Sequence, residues 1–143
     1  MERSEMPTDD ALVHHLDEKP VHIATAFRCA RSGIVYAFST QRNFKIHTVF
    51  AILAILLGVI LGIDASSWVA IVLCIALVFA LELMNTAIEA VVDLVSPEWN
   101  LFAKRAKDCA AGSVYVVAAA SLVVAAFVYI PPIVGLISDS VQG

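Results

Sequence analysis

The sequence reads as an all-α membrane protein, with three transmembrane helices preceded by an N-terminal amphipathic helix lying in the membrane surface. Three observations predict this. Hydrophobic residues make up 60% of the 143 residues and charged residues 15%, against about 45–50% and about 25% in a soluble domain, and the mean hydropathy is +0.86. Three stretches are long and apolar enough to cross a bilayer, which takes about 20 residues. The nine basic residues all lie at or before Lys45 or between Lys104 and Lys107. This composition excludes a disordered or nucleic-acid-binding chain, and 143 residues leave room for one domain.

Residues 1–21 carry Glu2, Glu5, Asp9, Asp10, Asp17, Glu18, Pro7 and Pro20 and no apolar period, so they read as a solvated, disordered tail. Without a basic n-region and an apolar h-region they do not form a signal peptide. His14 and His15 could hold a metal, but a plain tail is the expectation. The membrane domain spans 22–138. Its interfacial helix covers about 23–40, where Ile23, Ala26, Phe27, Ala30 and Ile34 recur at helical spacing among Arg28 and Arg31.

The spans follow at about 44–63, 67–95 and 108–137, and a short tail closes the chain at 139–143. Gly62–Ser67 reads as a turn and Ser96–Lys107 as a link. Pro131 and Pro132 are expected to kink or end the third span. Cys29, Cys74 and Cys109 fit no metal or disulfide spacing and read as apolar filler. The basic residues place the N-terminus and the 96–107 link in the cytoplasm and the C-terminus outside.

The second span carries the chemistry. At about 100° per residue, Glu82, Asn85, Glu89 and Asp93 share one face of an otherwise apolar helix, with Thr86 beside them. A carboxylate at membrane depth costs about 2.5–3.5 kcal/mol even on the lenient insertion scale. The stripe must therefore face protein, water, a cation or a substrate. It could be a polar interface that fixes helix register, an ion or proton pathway, or a reaction site. Glu82 and Glu89 lie roughly 10 Å apart along the axis, Glu82 the deeper. The outer carboxylate can hold a hard cation. The inner one can take a proton from a lipid hydroxyl, and Asn85 between them can orient either.

Lys104-Arg105-Ala106-Lys107-Asp108 follows at the entrance of the third span. Lys and Arg there suit phosphate, and a helix start would add free N–H groups. Acids for a metal, bases for phosphates and a membrane-depth carboxylate together suggest phosphoryl transfer to a lipid. There is no GxxxxGK[ST] loop and no HRD or DFG element.

The run Glu82-Leu-Met-Asn85-Thr-Ala-Ile-Glu89-Ala-Val-Val-Asp93, with Ala106-Lys107-Asp108 and Ala110-Ala-Gly112, resembles the signature of the bacterial diacylglycerol kinase/undecaprenol kinase family. Ala26-Phe27, Gly33-Ile34 and Arg42-Asn-Phe-Lys-Ile-His47 are similar to it as well, so the resemblance covers about Ile23 to Ile130. It implies a small membrane lipid kinase, assembled as a homotrimer with active sites between subunits and using ATP with Mg²⁺. By carry-over, Glu82 is the general base on the lipid hydroxyl, Glu89 binds the metal of Mg-ATP, Asn85 supports the site, and Lys107 and Asp108 contact the nucleotide.

Two positions depart from the family pattern. Gln41 stands where the family has a second metal-binding glutamate, and its neutral oxygen should hold a hard cation less well. Trp99-Asn100 stands where the family commonly has Tyr-His or His-His. Trp99 could stack on adenine or sit in the interface belt, and Asn100 receives no role. The Arg42–His47 run and Ala110-Ala-Gly112 resemble the undecaprenol kinase branch more than the diacylglycerol kinase branch. Undecaprenol is therefore the expected acceptor and diacylglycerol the alternative. A non-enzymatic ion pathway is the distant rival, because it gives the basic cluster no task.

Overall fold

A computed structural model describes residues 23–142 of the protein. The tail expected over 1–21, with His14 and His15, lies outside them. Four helices make up the described chain: α1 (Ile23–Thr40), α2 (Arg42–Leu61), α3 (Ala65–Val95) and α4 (Leu101–Gln142). The chain divides into two compact units at Gly33, within α1. The first unit is the opening turns of α1. The second begins at Ile34 and holds the three long helices.

The α2–α3 turn is set by backbone chemistry. Gly62 adopts φ 60°, the left-handed conformation that costs glycine least. There its N–H donates to the Val59 carbonyl at 3.3 Å, while the Ile63 N–H donates to that of Gly58 at 3.2 Å. This paired closure satisfies carbonyls that the helix end would orphan. Asp64 then opens α3. Its carboxylate accepts from the N–H of Ser66 at 2.8 Å and of Ser67 at 3.1 Å, and from both serine hydroxyls. These bonds, the Ser66 and Ser67 hydroxyls foremost, hold the Asp64 carboxyl well below the usual carboxylate range. Across the turn the Trp68 ring lies over Gly58, where an added Cβ would stand 3.0 Å from Trp68 and from Ile63.

The third long helix differs from expectation at both ends. It starts at Leu101 rather than near 108, because the Asn100 side chain caps it, accepting from Phe102 N–H at 2.8 Å and Ala103 N–H at 3.2 Å. Lys104–Asp108 therefore lies inside the helix and not on its free N–H groups. It also runs through Pro131 and Pro132 to Gln142. The prolines forfeit two N–H donors without ending the helix, a loss that membrane helices accommodate by local adjustment.

Packing is dominated by α3 against α4, with α2 laid against both. Phe44 meets Phe38 edge-on at 6.4 Å between ring centroids and Phe79 at 4.9 Å. The buried Tyr129 hydroxyl donates to the Ala54 carbonyl at 2.8 Å, pinning α4 to α2. The core is thin: only 11% of the apolar window of α2 and 17% of those of α3 and α4 are buried. Helices this apolar and this exposed must meet lipid or other protein, which makes the chain a multi-pass membrane protein. The 20 residues of α2 span about 30 Å, one hydrocarbon thickness, whereas the 31 of α3 reach about 46 Å and exceed it.

Two outcomes follow for stability. Gly58→Val drives its side chain into Trp68 and should cost about 1–3 kcal/mol as overpacking, read as a lowered unfolding midpoint in detergent. The cap at Asp64 gives a pH signature. Its folded-state pKa is depressed, so its stabilisation is full above the unfolded value of about 3.9 and drains as pH falls through and below that value. The midpoint of the native protein should exceed that of Asp64→Ala at pH 7, and the gap should shrink below about pH 4.

Candidate active site

The acidic stripe is placed by α3, and its members have different fates. Glu82 is 2% exposed, Asn85 9% and Thr86 7%. Glu89 is half-buried and Asp93 exposed. Thr86 turns its hydroxyl back to the Glu82 carbonyl at 2.9 Å and is satisfied within the helix. Asn85 donates from Nδ2 to Glu89 Oε1 at 2.9 Å. Of the two carboxylates it could orient, it is thus committed to Glu89.

Glu82 finds a different neighbour. His47 on α2 brings Nε2 to 3.2 Å from Glu82 Oε1. The imidazole is turned so that no directed bond forms, and Oε1 remains without a hydrogen-bond donor, as does Asn85 Oδ1. An unpaired buried acceptor typically costs about 1–3 kcal/mol. The two lie three residues apart on one face of α3.

The sequence passed over His47 except as the end of the Arg42–His47 run. A signal was available: an imidazole five residues into an apolar span is itself a polar group at membrane depth. What it lacked was a partner, since Glu82 lies 35 residues away.

The remaining candidates are more dispersed. Lys107 donates to Asp93 Oδ1 at 2.7 Å, with the two side chains 37% and 66% exposed, while Asp108 pairs with Lys104 one turn away on the exposed side of α4. Exposed pairs of this kind contribute about 0–1 kcal/mol, so a phosphate can draw Lys107 away at little cost. Lys107 and Asp108 are thus each held by another residue. Asp93 joins the basic cluster rather than the buried part of the stripe.

Gln41 occupies the N-cap position of α2 but makes no side-chain cap bond. With His47 level with Glu82, Gln41 lies roughly 9 Å further along α2 and Glu89 roughly 10 Å further along the antiparallel α3, which puts the two at one height. Trp99 is 80% exposed in the α3–α4 link. An apolar groove of about 320 Å³ lies between α2, α3 and α4, with His47 in its wall and Phe50, Leu57, Ile71, Val78 and Ala125 along it.

A hard cation suits part of this geometry. Among the described residues no three His, Cys, Asp or Glu side chains converge. Mg²⁺ does not require such a cage, since it is commonly held by one or two carboxylates together with water and substrate phosphates. Glu89, half-buried with one oxygen accepting from Asn85, fits that pattern.

Known proteins are similar to this chain. The family profile of prokaryotic diacylglycerol kinase matches residues 28–129. The chain is 42% identical over 116 residues to a diacylglycerol kinase of Synechocystis sp., covering 80% of the chain and 66% of that protein. It is 38% identical over 106 residues to the undecaprenol kinase of Bacillus subtilis, covering 74% and 86%. It is 32% identical over 84 residues to the diacylglycerol kinase of Escherichia coli K12, covering 59% and 69%. The matched region takes in the stripe, His47 and the Lys107–Asp93 pair, and the chain belongs to the prokaryotic diacylglycerol kinase family of membrane lipid kinases.

Proposed function

We propose that the protein transfers the γ-phosphoryl group of ATP to the hydroxyl of undecaprenol, giving undecaprenyl phosphate for the supply of cell-wall carrier lipid. The observation that carries the reading is a buried carboxylate, Glu82, lying beside His47 on a membrane helix with Glu89 two turns outward. In the reaction the lipid oxygen attacks the γ-phosphorus. The new O–P bond forms as the bond from phosphorus to the β–γ bridging oxygen breaks, and ADP leaves with that electron pair. Glu82 takes the proton from the lipid hydroxyl as the oxygen attacks. Asn85 holds Glu89, and Glu89 would hold Mg²⁺, which when bound would neutralise charge on the phosphates. Lys107 leaves Asp93 to meet phosphate, and Asp108 and Trp99 lie toward the nucleotide. The apolar groove that reaches His47 suits the chain of a lipid alcohol.

The Arg42-Asn-Phe-Lys-Ile-His47 run supports undecaprenol. The 42% identity to a protein named diacylglycerol kinase supports diacylglycerol as the second reading. The N-terminus and the 96–107 link face the cytoplasm, where ATP is, and the C-terminus lies outside. The chain acts as a homotrimer with sites between subunits, which would cover part of its exposed apolar surface. No task falls to the Lys107–Asp93 pair in an ion pathway, so that reading is set aside.

Purified protein in mixed micelles with labelled ATP, Mg²⁺ and each lipid tests this directly. Phosphate should pass to undecaprenol faster than to diacylglycerol. The reverse order supports the second reading, and no transfer to either lipid rejects both. Glu82→Gln should lower kcat at least about 100-fold, the lower bound for loss of a general base, while ATP still binds. Glu89→Gln should instead raise the Mg²⁺ concentration needed for half-maximal rate. Gln41→Glu, placed at the height of Glu89, should lower that concentration; an unchanged Mg²⁺ titration would show that residue 41 is not a ligand.

A further inference from the structure

Glu82 needs more than burial to work as a base, because a carboxylate with free rotation presents either oxygen in any direction. Asn85, which could orient either carboxylate, donates its amide to Glu89. Thr86, the next polar neighbour, is bonded to the Glu82 backbone carbonyl and not to its side chain. The group that reaches the carboxylate comes from another helix. His47 Nε2 stands 3.2 Å from Oε1, and the Glu82 side chain is 3% exposed against 23% for His47. Oε1 has no hydrogen-bond donor as the side chains stand.

We infer that His47 is a positioning residue for Glu82: its Nε2–H, turned onto Oε1, fixes the carboxylate and leaves Oε2 to receive the lipid proton. The assignment rests on the reading of Glu82 as base and adds to it the residue that aims it. Nε2 is the imidazole nitrogen that stands beside the carboxylate, at 3.2 Å. Phe44, one turn earlier on α2, is buried against Phe79 of α3, so this stretch of α2 is held against α3 at the height of Glu82. In the groove wall the ring also stands where the lipid chain would run, so the same side chain borders the acceptor and its base.

The test uses the full-length enzyme in mixed micelles, with kcat and the KM for Mg-ATP measured for the native protein, His47→Leu, His47→Gln and Glu82→Gln. Leucine fills the space without a donor, whereas the glutamine amide can place an N–H near the position of Nε2. His47→Leu should lower kcat about 10–100-fold, the scale of a misplaced catalytic group, with KM for Mg-ATP unchanged. His47→Gln should recover most of that loss. In the Glu82→Gln background His47→Leu should add no further loss, since the two act as one unit.

Equal loss in His47→Gln and His47→Leu, a raised KM with unchanged kcat, or additive losses in the double variant would overturn the role. If His47→Leu fails to fold, His47→Asn takes its place, its amide too short to reach Oε1. Loss of turnover in Glu82→Gln with an unaltered kcat in His47→Leu removes His47 alone. Full turnover in Glu82→Gln removes the base and this role with it.

Discussion

A carboxylate cannot stay ionised in hydrocarbon without partners, and the arrangement around Glu82 answers that constraint. Its side chain is nearly closed off from the surface, so the dielectric around it is low and any donor brought to it counts for more than it would in water. The chain supplies one donor-bearing ring beside the carboxylate, His47, and leaves acceptor capacity open on Glu82 and Asn85.

That geometry depends on the register of α2 against α3, which is fixed far from the chemistry. The left-handed Gly62, the Asp64 cap and the stack of Trp68 over Gly58 allow one way to leave α2 and enter α3. Phe44 against Phe79 and His47 beside Glu82 then fall at nearly the same antiparallel register. A slip of one residue on either helix would rotate His47 or Glu82 by about 100° out of the contact. The turn residues thus hold the two side chains level, although they touch neither.

The helical periodicity of the stripe was legible because a single helix determines it: Glu82, Asn85 and Glu89 share a face in any straight α-helix. Three spans were legible for the same reason, from the length and apolarity of each segment. What escaped involved two segments at once or a capping side chain. The pairing of His47 with Glu82 and of Lys107 with Asp93 needs the tertiary register. The early start of α4 was hidden because Lys104–Asp108 breaks the apolar run. Hydropathy reports the solvent around a helix and not its hydrogen bonds, and the cap that settles the matter is Asn100. The prolines do not end the helix, one of the two outcomes expected of them. Their missing N–H groups are a reliable stop in water, but a membrane helix has no solvent to take up a broken end, so continuing costs less than stopping.

The absence of a phosphate-binding loop has the same origin. Backbone outside regular structure is not tolerated against lipid, so a site at the membrane boundary has to be assembled from side chains on helix faces. Each helix then contributes little: α2 gives His47, α3 gives Glu82, Asn85 and Glu89, and α4 gives Lys107. The overshoot of α3 beyond one hydrocarbon thickness separates these groups by depth. On the proposed reading Glu82 would lie at the level of a lipid hydroxyl, with Glu89 and the Asp93–Lys107 pair nearer the C-terminal end of α3, toward phosphates and their cation. On that reading two substrates that do not share a solvent would meet along one helix, the lipid along the apolar groove and the nucleotide from water. The roughly 10 Å between Glu82 and Glu89 is the distance over which that change of solvent takes place.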